Sequence, residues 1–245
     1  MAEWFESFFD GLYAQALSSQ FDECATLKSV KIVKQLLKLR KDQHVLDIAC
    51  GMGRLTIPMA RMGFIMTGVD LTASYIRQAR RLARKEGFDV RFVQKDMREI
   101  AFDSEFDAAM SWFTSFGYFS EADNLGFCRR VLQALKPGGS FLVETQNKSW
   151  LLANFRAHSE KTIDGIQIVI RNRWDERSGR GISNWTFRKG RVTERCRSSI
   201  KLFNGAEIRS LLRAAGFRDI RLFSNPPVGR FTRHSQRLIA VGKRP

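Results

Sequence analysis

The sequence predicts an α/β protein: a Rossmann-like, mostly parallel sheet of seven strands with helices on both faces, and a small antiparallel β insert after the fifth strand. Three observations carry this. Strand-type and helix-type hydrophobic periods alternate through the first 145 residues or so. The stretch Val45-Leu46-Asp47-Ile48-Ala49-Cys50-Gly51-Met52-Gly53 reads as a buried strand that ends in an acid and breaks into a glycine turn. Three consecutive β-type segments then follow, at 166–174, 181–188 and 192–203, with turn signals at Ser178-Gly179 and Lys189-Gly190.

Each element has its own signal. Residues 3–17 place Trp4, Phe5, Phe8, Phe9, Leu12, Tyr13 and Ala16 at helical spacing, with Glu3, Glu6 and Asp10 on the polar side. That acidic side is a poor match for anionic lipid, so the helix is expected to pack on the protein as a lid rather than dock on a membrane. Residues 24–40 form a second helix, with Leu27, Val30, Val33 and Leu37 inward. Strands are expected at 44–48, 64–70, 90–94, 106–112 and 140–145, and helices at 54–62, 72–86 and 122–135. The last of these helices is closed by Pro137-Gly138-Gly139. After the insert, a helix at 205–215 with Gly216 past its end and strands at 220–223 and 236–241 complete the sheet. The organisation is therefore 1–43 (N-terminal helices), 44–149 (core), 150–203 (insert covering the substrate) and 204–245 (the rest of the core).

With 245 residues, 44% of them hydrophobic, the chain is long enough for one well-buried domain. No apolar run approaches the roughly 18 residues of a membrane span. The N-terminus is acidic and lacks the basic region of a signal peptide. Cys24, Cys50, Cys128 and Cys196 show no metal-ligand spacing, so a reduced cytoplasmic protein with no structural metal is expected. The formal charge of +16 admits an anionic partner. Nucleic acid is compatible but not favoured, because Lys and Arg are spread over helices 24–40 and 72–86 as well as the insert.

The chemistry lies in an ordered constellation. Asp47 and Gly51-x-Gly53 follow the first strand, Asp70 ends the second, Asp96 lies just past the third, and Leu135-Lys136-Pro137-Gly138-Gly139 precedes the fifth. In an open α/β sheet, ligands bind at those carboxyl ends. Without a Cβ, Gly51 and Gly53 let the backbone approach a ligand closely. The third glycine of a dehydrogenase loop is replaced by Thr56. This order resembles the class I S-adenosylmethionine-dependent methyltransferases over nearly the whole chain.

The resemblance implies S-adenosylmethionine as cofactor and a donor site made of Asp47, Ala49, Gly51, Gly53, Asp70, Leu71, Asp96, Met97 and Phe113. Asp47 is implied to hold the loop and the ammonium end of the donor. Asp70 is implied to accept from the ribose hydroxyls, and Asp96 from the adenine amine with Met97 beside the ring. Phe113 is implied to pack near the ribose or the methyl donor. The segment 106–118 is similar to that of small-molecule enzymes, the amino-sugar N-methyltransferases and glycine N-methyltransferase-like proteins, in which an N-terminal tyrosine covers the donor; Tyr13 stands where that residue would be. The sugar enzymes often carry His where this chain has Tyr118. Tyr13, Tyr118 and His234 are the candidates for substrate contact or proton handling.

The implied reaction moves a methyl group to an N, O or C nucleophile of a small molecule. The Arg-rich insert, with Trp174 and Trp185 interleaved, suits an anionic or planar one. An RNA or protein substrate, or donor binding without catalysis, stays open as an alternative, as does the oligomeric state. Asn225-Pro226-Pro227-Val228 resembles a motif of amine-directed nucleic-acid methyltransferases, but it follows the sixth strand and ends in Val, so it reads as a loop near the rim.

Overall fold

A computed structural model describes residues 3–20, 22–224 and 228–245. The chain opens with α1 (Trp4–Phe8), α2 (Gly11–Gln20) and α3 (Glu23–Leu37). The alternating part follows as β1 (His44–Ile48), α4 (Thr56–Arg61), β2 (Ile65–Asp70), α5 (Ala73–Lys85), β3 (Arg91–Gln94), β4 (Phe106–Ser111), α6 (Glu121–Ala134) and β5 (Leu135–Gln146). After α7 (Lys148–Ala153) come the insert strands β6 (His158–Ile163), β7 (Ile166–Asp175), β8 (Arg180–Lys189) and β9 (Val192–Lys201). The chain closes with α8 (Gly205–Ala215), β10 (Arg218–Ser224), β11 (Gly229–Arg230) and β12 (Arg237–Lys243). The motif 225–227 lies outside the described residues.

The main sheet runs β11-β10-β12-β5-β4-β1-β2-β3. From β3 to β5 every pairing is parallel, and β12 is antiparallel to β5 and β10. The seven expected strands are present, and the two-residue β11 adds an edge to them. The chain winds outward from β1 through β2 to β3, then returns to lay β4 on the other side of β1. That reversal opens a crevice above the carboxyl ends of β1 and β4, the switch point where such sheets bind ligands.

Strand β1 is buried along Val45 to Ile48, because apolar layers cover both of its faces. One layer packs Phe106, Phe127, Phe141 and Phe217 with α6 and α8; the other packs Val30, Val33, Met59 and Trp112 with α3 and α4. Helix α8 begins in a capping box made by Asn204 and Glu207 and ends at Gly216, whose φ of 109° suits a residue without Cβ.

Three expectations are corrected. The helix at 3–17 is two helices, broken around Asp10, where Gly11 takes φ 60°. The carboxylate of Glu194 on β9 fills the space a Cβ at Gly11 would need and accepts a hydrogen bond from the Leu12 N–H at 2.8 Å. The helix at 54–62 covers only Thr56–Arg61. The insert has four strands rather than three, in the order β6-β7-β8-β9. Strand β6 gave no apolar alternation because it is a polar edge strand, His-Ser-Glu-Lys-Thr-Ile.

The N-terminal helices seal the insert to the core. Leu12 and Ala16 of α2 pack on Ile166, Ile168 and Phe187 of the insert. Phe5 of α1 packs on Tyr118 and Phe119 after β4. Arg180 of β8 ties the same loop down, donating to the carbonyls of Phe119 at 2.9 Å and Tyr118 at 2.7 Å.

Candidate active site

Above the carboxyl ends of β1 and β2 lies a cavity of about 340 Å³, the size of a small-ligand site. Asp47, Ala49, Gly51, Asp70, Leu71, Asp96, Met97, Phe113, Tyr13 and Tyr118 all line it. The loop after β1 turns sharply, with positive φ at Ala49 (58°), Gly51 (57°) and Gly53 (84°).

Asp70 holds that loop. One of its oxygens accepts from the Gly51 N–H at 2.8 Å, and the other accepts from the Thr72 N–H at 2.8 Å. Burial raises its pKa, opposed by hydrogen bonds from the Thr72 and Gly51 N–H groups, the Thr72 hydroxyl and the Leu71 N–H. Asp47 is 3% exposed and accepts from the Thr56 hydroxyl at 2.6 Å. Burial pushes its pKa up to about 7, with Thr56 and Arg54 pulling down and Asp70 pushing further up.

The structure does not bring two of the expected residues to the cavity. Gly53 does not line it: a Cβ there would meet Ile57 at 3.0 Å and Phe92 at 3.3 Å, so the turn and its packing by themselves call for a glycine here. His234 lies exposed in the loop before β12, beside the Arg233 guanidinium at 3.1 Å, and lines neither this cavity nor the larger one beside it. Asp96 lines the cavity but is already engaged. It caps the 3-10 turn at Met97–Glu99 through the Arg98 N–H at 2.8 Å and pairs with the Arg98 guanidinium at 2.7 Å.

The larger cavity, of about 990 Å³, opens between the sheet's carboxyl edge, α1, α2, α7 and the insert. It shares Phe9, Tyr13, Leu17, Phe113 and Tyr118 with the first, so the two meet at an aromatic wall. Tyr13 packs against Phe8, Phe9, Trp185 and Phe187, and burial raises its pKa to about 12. Burial also raises that of Tyr118, which packs among Trp4, Phe5 and Phe9. Both phenols are therefore neutral near pH 7, a form that can donate a hydrogen bond and is a poor base. Phe113 and Thr114 take φ of 63° and 62°, which is unusual for residues with side chains; Phe113 belongs to this wall and Thr114, next to it, lines the larger cavity. Glu144 of β5, 2% exposed, holds them: its carboxylate accepts from the Phe113 N–H at 2.9 Å and from Arg237 at 2.6 Å, while Arg237 also donates to the Thr114 hydroxyl at 2.7 Å.

Sequence reasoning missed Glu144, Arg237, Arg98 and Tyr75. An acid inside the apolar strand Phe-Leu-Val-Glu-Thr was the available signal for Glu144. Arg98 is sandwiched over Phe5 at 5.3 Å and Phe119 at 4.7 Å, contacts no local pattern announces. Tyr75 lines the smaller cavity, and its buried hydroxyl has no hydrogen-bond partner among the described residues.

The architecture defines a Rossmann-like α/β protein with its ligand site at the switch point. Residues 45–139 match a family model described as a methyltransferase domain. A ubiquinone biosynthesis O-methyltransferase of Caulobacter vibrioides is 33% identical over 107 residues, 43% of this chain and 41% of its own. Matches to the curated relatives span about two to three fifths of those proteins' length. Among solved structures, an S-adenosylmethionine-dependent methyltransferase from Clostridium acetobutylicum ATCC 824 superposes with a TM-score of 0.76 at 19% identity, covering 95% of this chain and 96% of that one. An amino pentose methyltransferase from Micromonospora echinaspora, solved with S-adenosylmethionine bound, gives 0.66 at 18% identity, covering 96% and 98%. Residues 45–139 thus resemble a methyltransferase domain, and the fold of the chain is the one seen in S-adenosylmethionine-dependent methyltransferases of known structure. The smaller cavity fits that donor: it offers buried acids to a cationic ligand, and the orphaned Tyr75 hydroxyl beside it is a group a bound ligand would satisfy.

Proposed function

We propose that this protein is an S-adenosylmethionine-dependent methyltransferase acting on a small molecule, with the donor in the smaller cavity and the acceptor in the larger. The observation that carries this is the shared aromatic wall: two cavities of unequal size meet at Phe113, Tyr13 and Tyr118, above the switch point. Asp70 is positioned to take the donor's ribose hydroxyls while bracing the glycine loop, and Asp47 gives a buried counter-charge to the ammonium end. Asp96 takes its part with one flank already held by Arg98. Bound S-adenosylmethionine supplies an electrophilic methyl group on a sulfonium.

The chain's own contribution is alignment and exclusion of water. The aromatic wall dries the meeting point, and the Glu144–Arg237 pair fixes the strained backbone that carries Phe113. Orientation of this kind supplies about 7–11 kcal/mol in well-arranged reactions. Among the described residues no carboxylate or histidine lines the larger cavity, so no general base is built in there. The acceptor then supplies a nucleophile that needs none, or one acidic enough to ionise by itself.

The test is a metabolite-extract assay with methyl-labelled donor, paired with calorimetry of S-adenosylhomocysteine. Asp70→Ala strips the loop of two charge-assisted hydrogen bonds, each worth about 1.5–3 kcal/mol, so donor affinity drops at least tenfold. Native protein that neither binds the homocysteine product nor labels any small molecule sinks the proposal. Labelling of RNA with steeply salt-dependent binding redirects it to the outer face of the insert, where Arg171, Arg188, Arg195 and Arg197 border an open groove.

A further inference from the structure

The wall that the insert contributes to the larger cavity is one face of a four-stranded sheet. The β6–β7 register sets Lys161 opposite Ile168 and Ser159 opposite Ile170; β7–β8 sets Ile168 opposite Phe187 and Ile170 opposite Trp185. All six line the cavity. The alternate residues Arg171, Arg188, Arg195 and Arg197 face the other way, into the outer groove. The inner face is thus mostly apolar and aromatic, and its few polar groups are occupied. Trp185 Nε1 donates to the Ser198 hydroxyl at 3.0 Å, and the Ser183 hydroxyl donates to Asn172 at 2.7 Å. Asn172 in turn donates to the Arg156 carbonyl at 2.9 Å, and Arg237 is committed to Glu144 and Thr114.

What remains is a set of unspent cations. Lys161, within β6, and Arg156, two residues before that strand, line the cavity with exposed side chains, and neither charged end has a hydrogen bond or ion pair among the described residues. Lys161 is open to solvent, yet desolvation by the surrounding protein lowers its pKa. Arg173 adds a third positive charge. No acid among the described residues opposes them in the lining. A cationic amine entering here meets like charge and no carboxylate. An anion meets an apolar floor and fixed cations in a partly dry setting, where a charge-assisted hydrogen bond is strong.

Resting on the reading of the larger cavity as the acceptor site, we infer that the acceptor is an amphiphilic anion: an apolar or planar body placed against Phe113, Tyr13 and Trp185, with a carboxylate, sulfonate or phosphate held by Lys161 and Arg156 at the mouth. The opposite polarity, a cationic amino-sugar-like acceptor, is disfavoured by the same residues.

The experiment uses the full chain saturated with S-adenosylhomocysteine and a matched fluorescent pair, anilinonaphthalene sulfonate and its uncharged parent phenylnaphthylamine. The native protein binds the sulfonate about tenfold more tightly than the parent, the value of one good charged contact. In the double variant Lys161→Gln/Arg156→Gln the preference disappears while affinity for the uncharged probe is kept. In Arg171→Gln/Arg195→Gln, which removes as much charge from the outer face, the preference survives. Equal affinity of the native protein for both probes overturns the inference, as does a preference that survives the first double variant or falls with the second. Calorimetry of the homocysteine product runs in parallel. Retained product binding alongside a missing sulfonate preference defeats this inference alone, whereas lost product binding defeats the donor-site reading beneath it. All four side chains are exposed, so the variants are expected to fold.

Discussion

The two cavities share a wall and carry opposite charge. The smaller is ringed by Asp47, Asp70 and Asp96, with Arg54 and Lys95 the only cations in its lining among the described residues. The larger has Arg156, Lys161, Arg173 and Arg237 and, among the described residues, no acid. In a chain of net charge +16, three acids gathered at one set of strand ends depart sharply from the surface average. The difference teaches that charge here is sorted by cavity: carboxylates around the smaller, lysine and arginine around the larger, and a neutral aromatic partition between. The partition is also where the backbone is strained, at Phe113 and Thr114. The most damaging way to break the comparison is therefore to loosen that wall.

Glu144→Ala does so. It leaves the Arg237 guanidinium, only 17% exposed at its side chain, without its carboxylate, and frees the Phe113 N–H. Removing one partner of a buried ion pair costs about 3–5 kcal/mol. Thermal melts of Glu144→Ala are expected to show that loss, with turnover falling by more than the melting shift explains. The double change Glu144→Leu/Arg237→Met, which removes both charges, is expected to restore most of the stability but not the turnover. Restored turnover in the double variant would make the pair a mere structural filler.

The sequence displayed one cavity better than the other, and the reason is the range of the contacts. Asp47, Gly51 and Asp70 sit on the strand–turn–helix–strand run from β1 through α4 to β2, whose periodicity is local, so the chain pattern alone puts the acids at strand ends. The partition depends on Glu144 and Arg237, 93 residues apart, and the break in the N-terminal helix depends on Glu194, 182 residues from Leu12. Strand β6, which brings Lys161 to the larger cavity, is polar and carries no alternation to read. Gly53 is the instructive middle case: the motif singles it out, and the structure shows Ile57 and Phe92 filling the space that a Cβ there would need, a packing demand the motif does not display.

Gly53→Ala sharpens that distinction with a smaller effect. A side chain held at φ 84° costs about 1–2 kcal/mol, and the new methyl presses on Ile57. The melting temperature is expected to fall while affinity for S-adenosylhomocysteine stays near native. A collapse of affinity at unchanged melting temperature would instead place the ligand against this glycine.

The gentlest probe of the acidic cavity is pH. Asp47 has its pKa pushed up to about 7 by burial, above the roughly 3.9 of an unfolded aspartate. Between those values the native state binds more protons than the unfolded chain, so Asp47's contribution to stability falls as pH rises, and its penalty is complete above about 7. A ligand bringing an ammonium beside this carboxylate favours the ionised form, so its binding expels the proton at low pH. Affinity for S-adenosylhomocysteine is thus expected to rise several-fold from about pH 5 to pH 7 and then level, while Asp47→Asn shows a flatter profile. Melts give the mirror image: the Asn variant gains on the native protein as pH rises, because it never ionises. If both proteins bind with the same pH profile, the ammonium end lies elsewhere and the acidic cavity owes its polarity to Asp70 and Asp96 alone.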